Sequence, residues 1–196
     1  MKKPPERRQF LRSAFSLAIL AGLGRSSGVR AAEAEIRNVS IYASDDLYIL
    51  NADVVAELTP LLADAVSRGV SLYFVTEFEL SASRWYWLDE EVVSKLLTYR
   101  LSYHSLTRQY RLTSGALHQT FPSLEDALRT MLRIRNWGIT DRNTLRMGRS
   151  YNAALRFRLD VGELPKPLQV SAFGRKDWNL SSEWYRWTFV AGREIK

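Results

Sequence analysis

Residues 70–80, Val70-Ser71-Leu72-Tyr73-Phe74-Val75-Thr76-Glu77-Phe78-Glu79-Leu80, decide the fold class. Val70, Leu72, Phe74, Phe78 and Leu80 fall on one side, and Ser71, Tyr73, Val75, Glu77 and Glu79 on the other. A period of two is the pattern of a β-strand with one buried and one mixed face. The same alternation recurs in both directions. Upstream, residues 36–43 alternate, Ser44-Asp45-Asp46 marks a turn, and Tyr48, Leu50, Ala52, Val54, Ala56 and Leu58 share a face opposite Asn51, Asp53 and Glu57. This predicts a hairpin. Downstream, Leu97, Tyr99, Leu101 and Tyr103 alternate with Thr98, Arg100, Ser102 and His104, and residues 108–118 supply a partner strand. The aromatic run from Arg84 to Asp89 reads as extended, as do Tyr151 to Val161, Leu168 to Phe173 and Trp184 to Ala191.

Two helices interrupt the strands. Thr59-Pro60 joins a capping hydroxyl to a proline at the first helical position, and Gly69 ends the segment. Ser123 with Asp126 three residues later forms a capping-box pattern, followed by the stripe Leu124, Ala127, Leu128, Met131 and Ile134. Arg133 and Arg135 then suit the negative end of that helix, and Gly138 its close. Leu164-Pro165-Lys166-Pro167-Leu168 reads as a stiff connector. The pattern implies a mainly β (α+β) chain: an antiparallel β-sandwich or open barrel of roughly eight strands with two short helices. No linker divides residues 35–196, which are expected to form a single β-rich domain.

Residues 1–34 have a different character. A basic start (Lys2, Lys3, Arg7, Arg8, Arg12) precedes an apolar run from Leu11 to Leu23, too short for the roughly 20 residues that span a bilayer. Small residues follow at Ala32-Glu33-Ala34 and at Val29-Arg30-Ala31. Together these predict a cleaved signal peptide with cleavage after Ala34, or second after Ala31, and a periplasmic or secreted product. Arg7-Arg8-Gln9-Phe10-Leu11-Arg12 is similar to a twin-arginine export motif, with the ordinary route open beside it.

Losing that segment changes the charge. The whole chain of 196 residues carries 28 Lys/Arg and 21 Asp/Glu, a net +7. Residues 1–34 hold seven of the basic and two of the acidic residues, leaving only +2 beyond them. Basicity therefore gives no support to nucleic-acid binding. The chain has no cysteine, which excludes thiol nucleophiles, cysteine zinc sites and disulfides. No metal-ligand spacing, phosphate loop or dinucleotide fingerprint appears, so neither a metal nor a cofactor is expected.

Arginine outnumbers lysine 17 to 4 beyond residue 34. Guanidinium groups stack on aromatic rings, so cross-strand arginine–aromatic pairs are expected on an outer sheet face. Trp184, Arg186, Trp178, Trp85 and Trp87 are the candidate binding residues, with Tyr86 beside the last two. A rival chemistry would use Glu77, Glu79 or His104 as acid–base groups. Rings that merely fill the core, carboxylates on a solvated face and a satisfied surface histidine are the plain alternatives.

Five stretches resemble the domain-of-unknown-function 4390 family of exported proteobacterial proteins: Ser67-Arg68-Gly69-Val70-Ser71-Leu72-Tyr73-Phe74, Tyr99-Arg100-Leu101-Ser102-Tyr103-His104, residues 121–128, Leu159-Asp160 with Leu164-Pro165-Lys166-Pro167-Leu168, and Trp178-Asn179-Leu180-Ser181-Ser182-Glu183-Trp184. The resemblance implies export and a link to a signalling or envelope role. It brings no catalytic residues. Three roles follow: a non-catalytic envelope module that binds a protein or envelope ligand, a hydrolase or transferase using the carboxylates, and a glycan-binding domain. The first fits best, because aromatic and arginine residues are abundant and no catalytic constellation is present.

Overall fold

The computed structural model describes residues 32–83 and 89–192. The chain is mainly β, and ten strands form one curled sheet, an open half-barrel. The strands are β1 (Ala32–Ser44), β2 (Leu47–Val55), β3 (Leu72–Ala82), β4 (Glu90–His104), β5 (Gln109–Ser114), β6 (Leu117–Phe121), β7 (Arg133–Asp141), β8 (Ser150–Leu159), β9 (Leu180–Ser182) and β10 (Tyr185–Val190). Three short helices accompany them: α1 (Pro60–Ser67), α2 (Leu124–Met131) and α3 (Lys166–Ala172).

The order across the sheet is β6-β5-β4-β3-β8-β9-β1-β2-β7, with β10 also paired to β8. All pairs are antiparallel except β1 with β9, where Ala32, Glu33 and Ala34 run parallel to Leu180, Ser181 and Ser182. That contact joins the β1-β2-β7 half to the rest. It also places the start of β1 inside the segment 1–34, with Ala34 itself buried.

The decisive stretch behaves as its alternation demands. In β3, Leu72, Phe74, Phe78 and Leu80 are fully buried on the concave side, and Phe74 stacks on Phe157 of β8 with ring centroids 5.7 Å apart. Phe78 reaches Trp137 of β7 and Trp187 of β10, both at 6.3 Å, and Tyr48 of β2 meets Phe189 of β10 edge-on at 5.5 Å. Aromatic rings thus hold the two halves of the sheet together across the interior. Thr76 shares this concave face, 1 % exposed, and its Oγ1 has no hydrogen-bond partner among the described residues.

The capping signals are realised. Thr59 Oγ1 accepts from the Leu62 N–H at 3.2 Å and Ser123 Oγ from the Asp126 N–H at 3.1 Å. Two expectations need correction. The second helix stops at Met131 rather than Gly138, because Val54 donates to the Leu132 carbonyl at 2.8 Å and Ile134 pairs with Ala52, drawing the chain into β7. The expected strand from Leu168 to Phe173 is helix α3: Pro165 and Pro167 occupy its cap and first turn, where a missing N–H costs nothing. The run expected to be extended at residues 84–88 lies outside the described residues.

On the outer face of β1, β2 and β7, two left-handed asparagines, Asn38 (φ 52°) and Asn136 (φ 53°), sit at register shifts. Asn38 donates to Asp53 at 3.0 Å, Arg135 pairs with the same carboxylate, and the Asn136 N–H donates to Asn51 Oδ1 at 2.8 Å. The hydrogen bond from Asn38, then that from Arg135, hold the Asp53 carboxyl below its ordinary range. A depressed carboxyl stabilises the fold above the unfolded-state pKa, and the gain disappears as pH falls through the folded one. Asp53→Asn should therefore lower the urea midpoint at pH 7, with the difference from wild type closing as pH falls through and below the ordinary aspartate range; a gap that widens on acidification would contradict it. Thr76→Val keeps the shape and removes the orphaned hydroxyl, and should raise unfolding stability by about 1 kcal/mol in the same assay.

Candidate functional site

The outer face of β3, β8 and β10 carries the candidate site. Cross-strand register sets Glu77 opposite Arg156, Glu79 opposite Ala154, and Ala154 opposite Arg186. Alternation places Glu77, Glu79, Arg156, Arg158, Arg186 and Thr188 on this face, and turns Trp187 and Phe189 inward.

A bulge aims Trp184. Between the pairs Arg158–Ser181 and Leu155–Tyr185, the β9–β10 segment advances four residues while β8 advances three. One residue is therefore surplus, and alternation is reversed beyond it. Leu180 and Ser182 are buried, whereas Trp184, on the same parity, lies partly exposed beside Arg156 and Arg186. The Ser182 hydroxyl fills the gap in the ladder by accepting the Phe157 N–H at 2.9 Å.

Trp184 then takes a guanidinium from each side. Arg156 stands 5.7 Å and Arg186 5.8 Å from its ring centroid. Such contacts are worth about 0.5–1 kcal/mol each at exposed sites, enough to hold the ring in place. These are the arginine–aromatic pairs expected for an outer face. Hollows flank them. One of about 450 Å³ is lined by Glu33, Arg156, Asn179, Ser181 and Glu183 beside Trp184, and one of about 420 Å³ includes Glu79, Ser81, Asp89, Ala154 and Arg186. The second exists because Ala154 is small between two long neighbours.

The structure brings Trp184 and Arg186 together and places Trp178 in the core. Trp178 is 4 % exposed and belongs to the core, in a one-turn 3₁₀ segment docked on the start of α1 through Thr59 Oγ1, which donates to the Asp177 carbonyl at 2.7 Å. Trp85 and Trp87 fall between β3 and β4, outside the described residues. Sequence reasoning missed Arg156, whose signal is its alternation with Ala154 and Arg158 along β8.

The carboxylates do not converge with a histidine. Glu77 is paired with Arg158 at 2.8 Å, and Arg158 also approaches Asp160 at 3.5 Å. Burial opposes the charge on Arg158, but the Glu77 hydrogen bond and the two carboxylates outweigh it, so its pKa is raised. His104 is exposed at the far end of β4, eight residues beyond Leu96, the cross-strand partner of Glu77. Eight residues of strand span about 26 Å. Among the described residues, no group of three potential ligands is placed to hold a metal, and no helix is long and apolar enough to cross a membrane.

These features define a mainly β, open-barrel protein with an arginine–tryptophan face. The chain belongs to the family described as Domain of unknown function (DUF4390), whose model matches residues 31–188. No curated protein and no solved structure matches it.

Cutting the Glu77–Arg158 pair tests whether it is structural. Glu77→Gln leaves the Arg158 guanidinium with only the Asp160 carboxylate, 3.5 Å away, and should cost about 1 kcal/mol in denaturant unfolding, while tryptophan emission stays unchanged.

Proposed function

We propose that this protein is an exported, non-catalytic binding module of the bacterial cell envelope, which holds a protein or envelope ligand against the outer face of β8 and β10. The observation that carries the proposal is Trp184, fixed between Arg156 and Arg186 with a hollow on either side. A pre-positioned ring between two guanidinium groups offers stacking area and fork-shaped donors at little entropic cost. Its partner is expected to present carboxylates or aromatic rings to this face.

Export supplies the setting. The basic and apolar start of the chain is a signal peptide in this proposal, and strand pairing bears on where it is cut. Cleavage after Ala34 would delete all three residues that run parallel to β9, whereas cleavage after Ala31 leaves them. The family match, which begins at residue 31, agrees with the earlier cut. N-terminal sequencing of the exported protein is expected to begin at Ala32; a start at Glu35 would refute this placement, and an intact Met1 would refute export.

Capture of partners from envelope extract tests the platform. Arg186→Ala and the Trp184→Ala, Arg186→Ala pair should each reduce capture at least tenfold, with the urea midpoint held within that of neutral surface changes. Unchanged capture would eliminate this face. Peptidoglycan fragments titrated against tryptophan fluorescence separate the glycan alternative, for which saturable quenching is required.

A further inference from the structure

Beyond its three-residue contact with β9, β1 separates from the strand that follows. From Glu35 onward it pairs with β2 alone, and β10 pairs with β8 alone among the described residues. Two strands that start side by side therefore diverge, each presenting an unpaired edge to the gap. Unpaired edges are where an added strand docks.

The gap is a groove of about 520 Å³ lined by Glu33, Ala34, Glu35, Ile36, Ser182, Glu183, Trp184 and Tyr185. Its floor is apolar, since Ala34 and Ile36 are buried. Tyr185 lies on the same side of β10 as the core residue Phe189 yet is 41 % exposed, with its ring 5.5 Å from Trp187. The core thus ends short of the groove and leaves aromatic surface at its wall. Three carboxylates line the groove and no cation does. Glu35 is paired with Arg37 at 2.5 Å, Glu33 and Glu183 have no ion-pair partner among the described residues, and Arg156 lies in the adjoining hollow.

We infer that this seam accepts an extended, basic peptide segment of a partner protein, which adds as a strand to the free edges and sets a lysine or arginine between Glu33 and Glu183. The inference rests on the binding-module proposal and adjoins its surface: Glu33, Glu183 and Trp184 border both the seam and one hollow of the platform, whereas Arg156 and Arg186 do not line the seam. Alternate side chains of the incoming strand would face Ala34 and Ile36, so the segment should alternate apolar and basic residues. Its backbone supplies affinity through ladder hydrogen bonds, and the two carboxylates choose its charge.

The test uses the protein as purified from cells and three ten-residue peptides: alternating lysine and valine, alternating glutamate and valine, and the lysine–valine peptide N-methylated at every second amide. Tryptophan fluorescence should report saturable binding of the first, and at least tenfold weaker binding of the other two. Amide exchange should slow at residues 35–37 and 185–190 when the first peptide is added. The paired change Glu33→Gln, Glu183→Gln should weaken that peptide at least tenfold and leave the urea midpoint within that of neutral surface changes. Equal binding of the glutamate peptide, equal binding of the methylated peptide, protection elsewhere, no binding, or a self-associated dimer protecting the same residues would each overturn the inference. Loss of capture in Arg186→Ala alongside failed peptide binding would sink the seam and leave the platform standing.

Discussion

Side chains along a strand alternate between two faces, so a single surplus residue reverses every position beyond it. The irregularity between Ser182 and Trp184 is such a reversal, and the organisation of the site depends on it. With uninterrupted alternation, Trp184 would follow Leu180 and Ser182 into the core, and Phe189 would be driven out of it. Instead Phe189 seals the interior against Tyr48, and Trp184 stands between two arginines. The buried Ser182 hydroxyl makes the irregularity tolerable by taking the amide that the ladder leaves unpaired. One local defect therefore serves both the core and the face outside it.

The second constraint is the parallel contact at the beginning of β1. A sheet this curled could close as a barrel or split into two layers. Here it does neither, because β1 is tied to β9 for three residues and to β2 for the rest of its length. The interior is completed by rings that cross the gap rather than by hydrogen bonds. Phe78 touches Trp137 on one side and Trp187 on the other, which couples the distant edge strand β7 to β10 through a single buried phenylalanine.

The parts legible in the sequence are those fixed by neighbours in the chain. The strand at 70–80, the first hairpin, and the caps at Thr59 and Ser123 depend on alternation and on short side chains bonding to nearby amides. The end of α2 depends on something farther away. Leu132 and Ile134 suit a helical stripe as well as a strand, and the edge of β2 decides between them by accepting and donating hydrogen bonds. Helix α3 is hidden by its two prolines, which resemble a stiff connector until they are seen to occupy a first turn. Of the candidate site, Trp184 and Arg186 were legible because they alternate with core residues at the end of the chain. The fate of Trp178 was not, since its burial is set by docking on α1, a segment more than one hundred residues earlier in the chain. The mixed character of the sheet was equally silent, because a parallel contact between residues 32–34 and 180–182 leaves no local trace.

The ring of Trp184 is gripped by guanidinium groups, and no histidine or lysine takes part in those contacts. A guanidinium keeps its proton at every acidity a folded protein tolerates. The clamp on the ring is therefore made without an acid-sensitive group, while carboxylates of Glu33, Glu79, Asp89 and Glu183 line the hollows beside it. Acid-triggered release of a bound partner would have to act on those carboxylates or on the partner, and would leave the clamp itself intact.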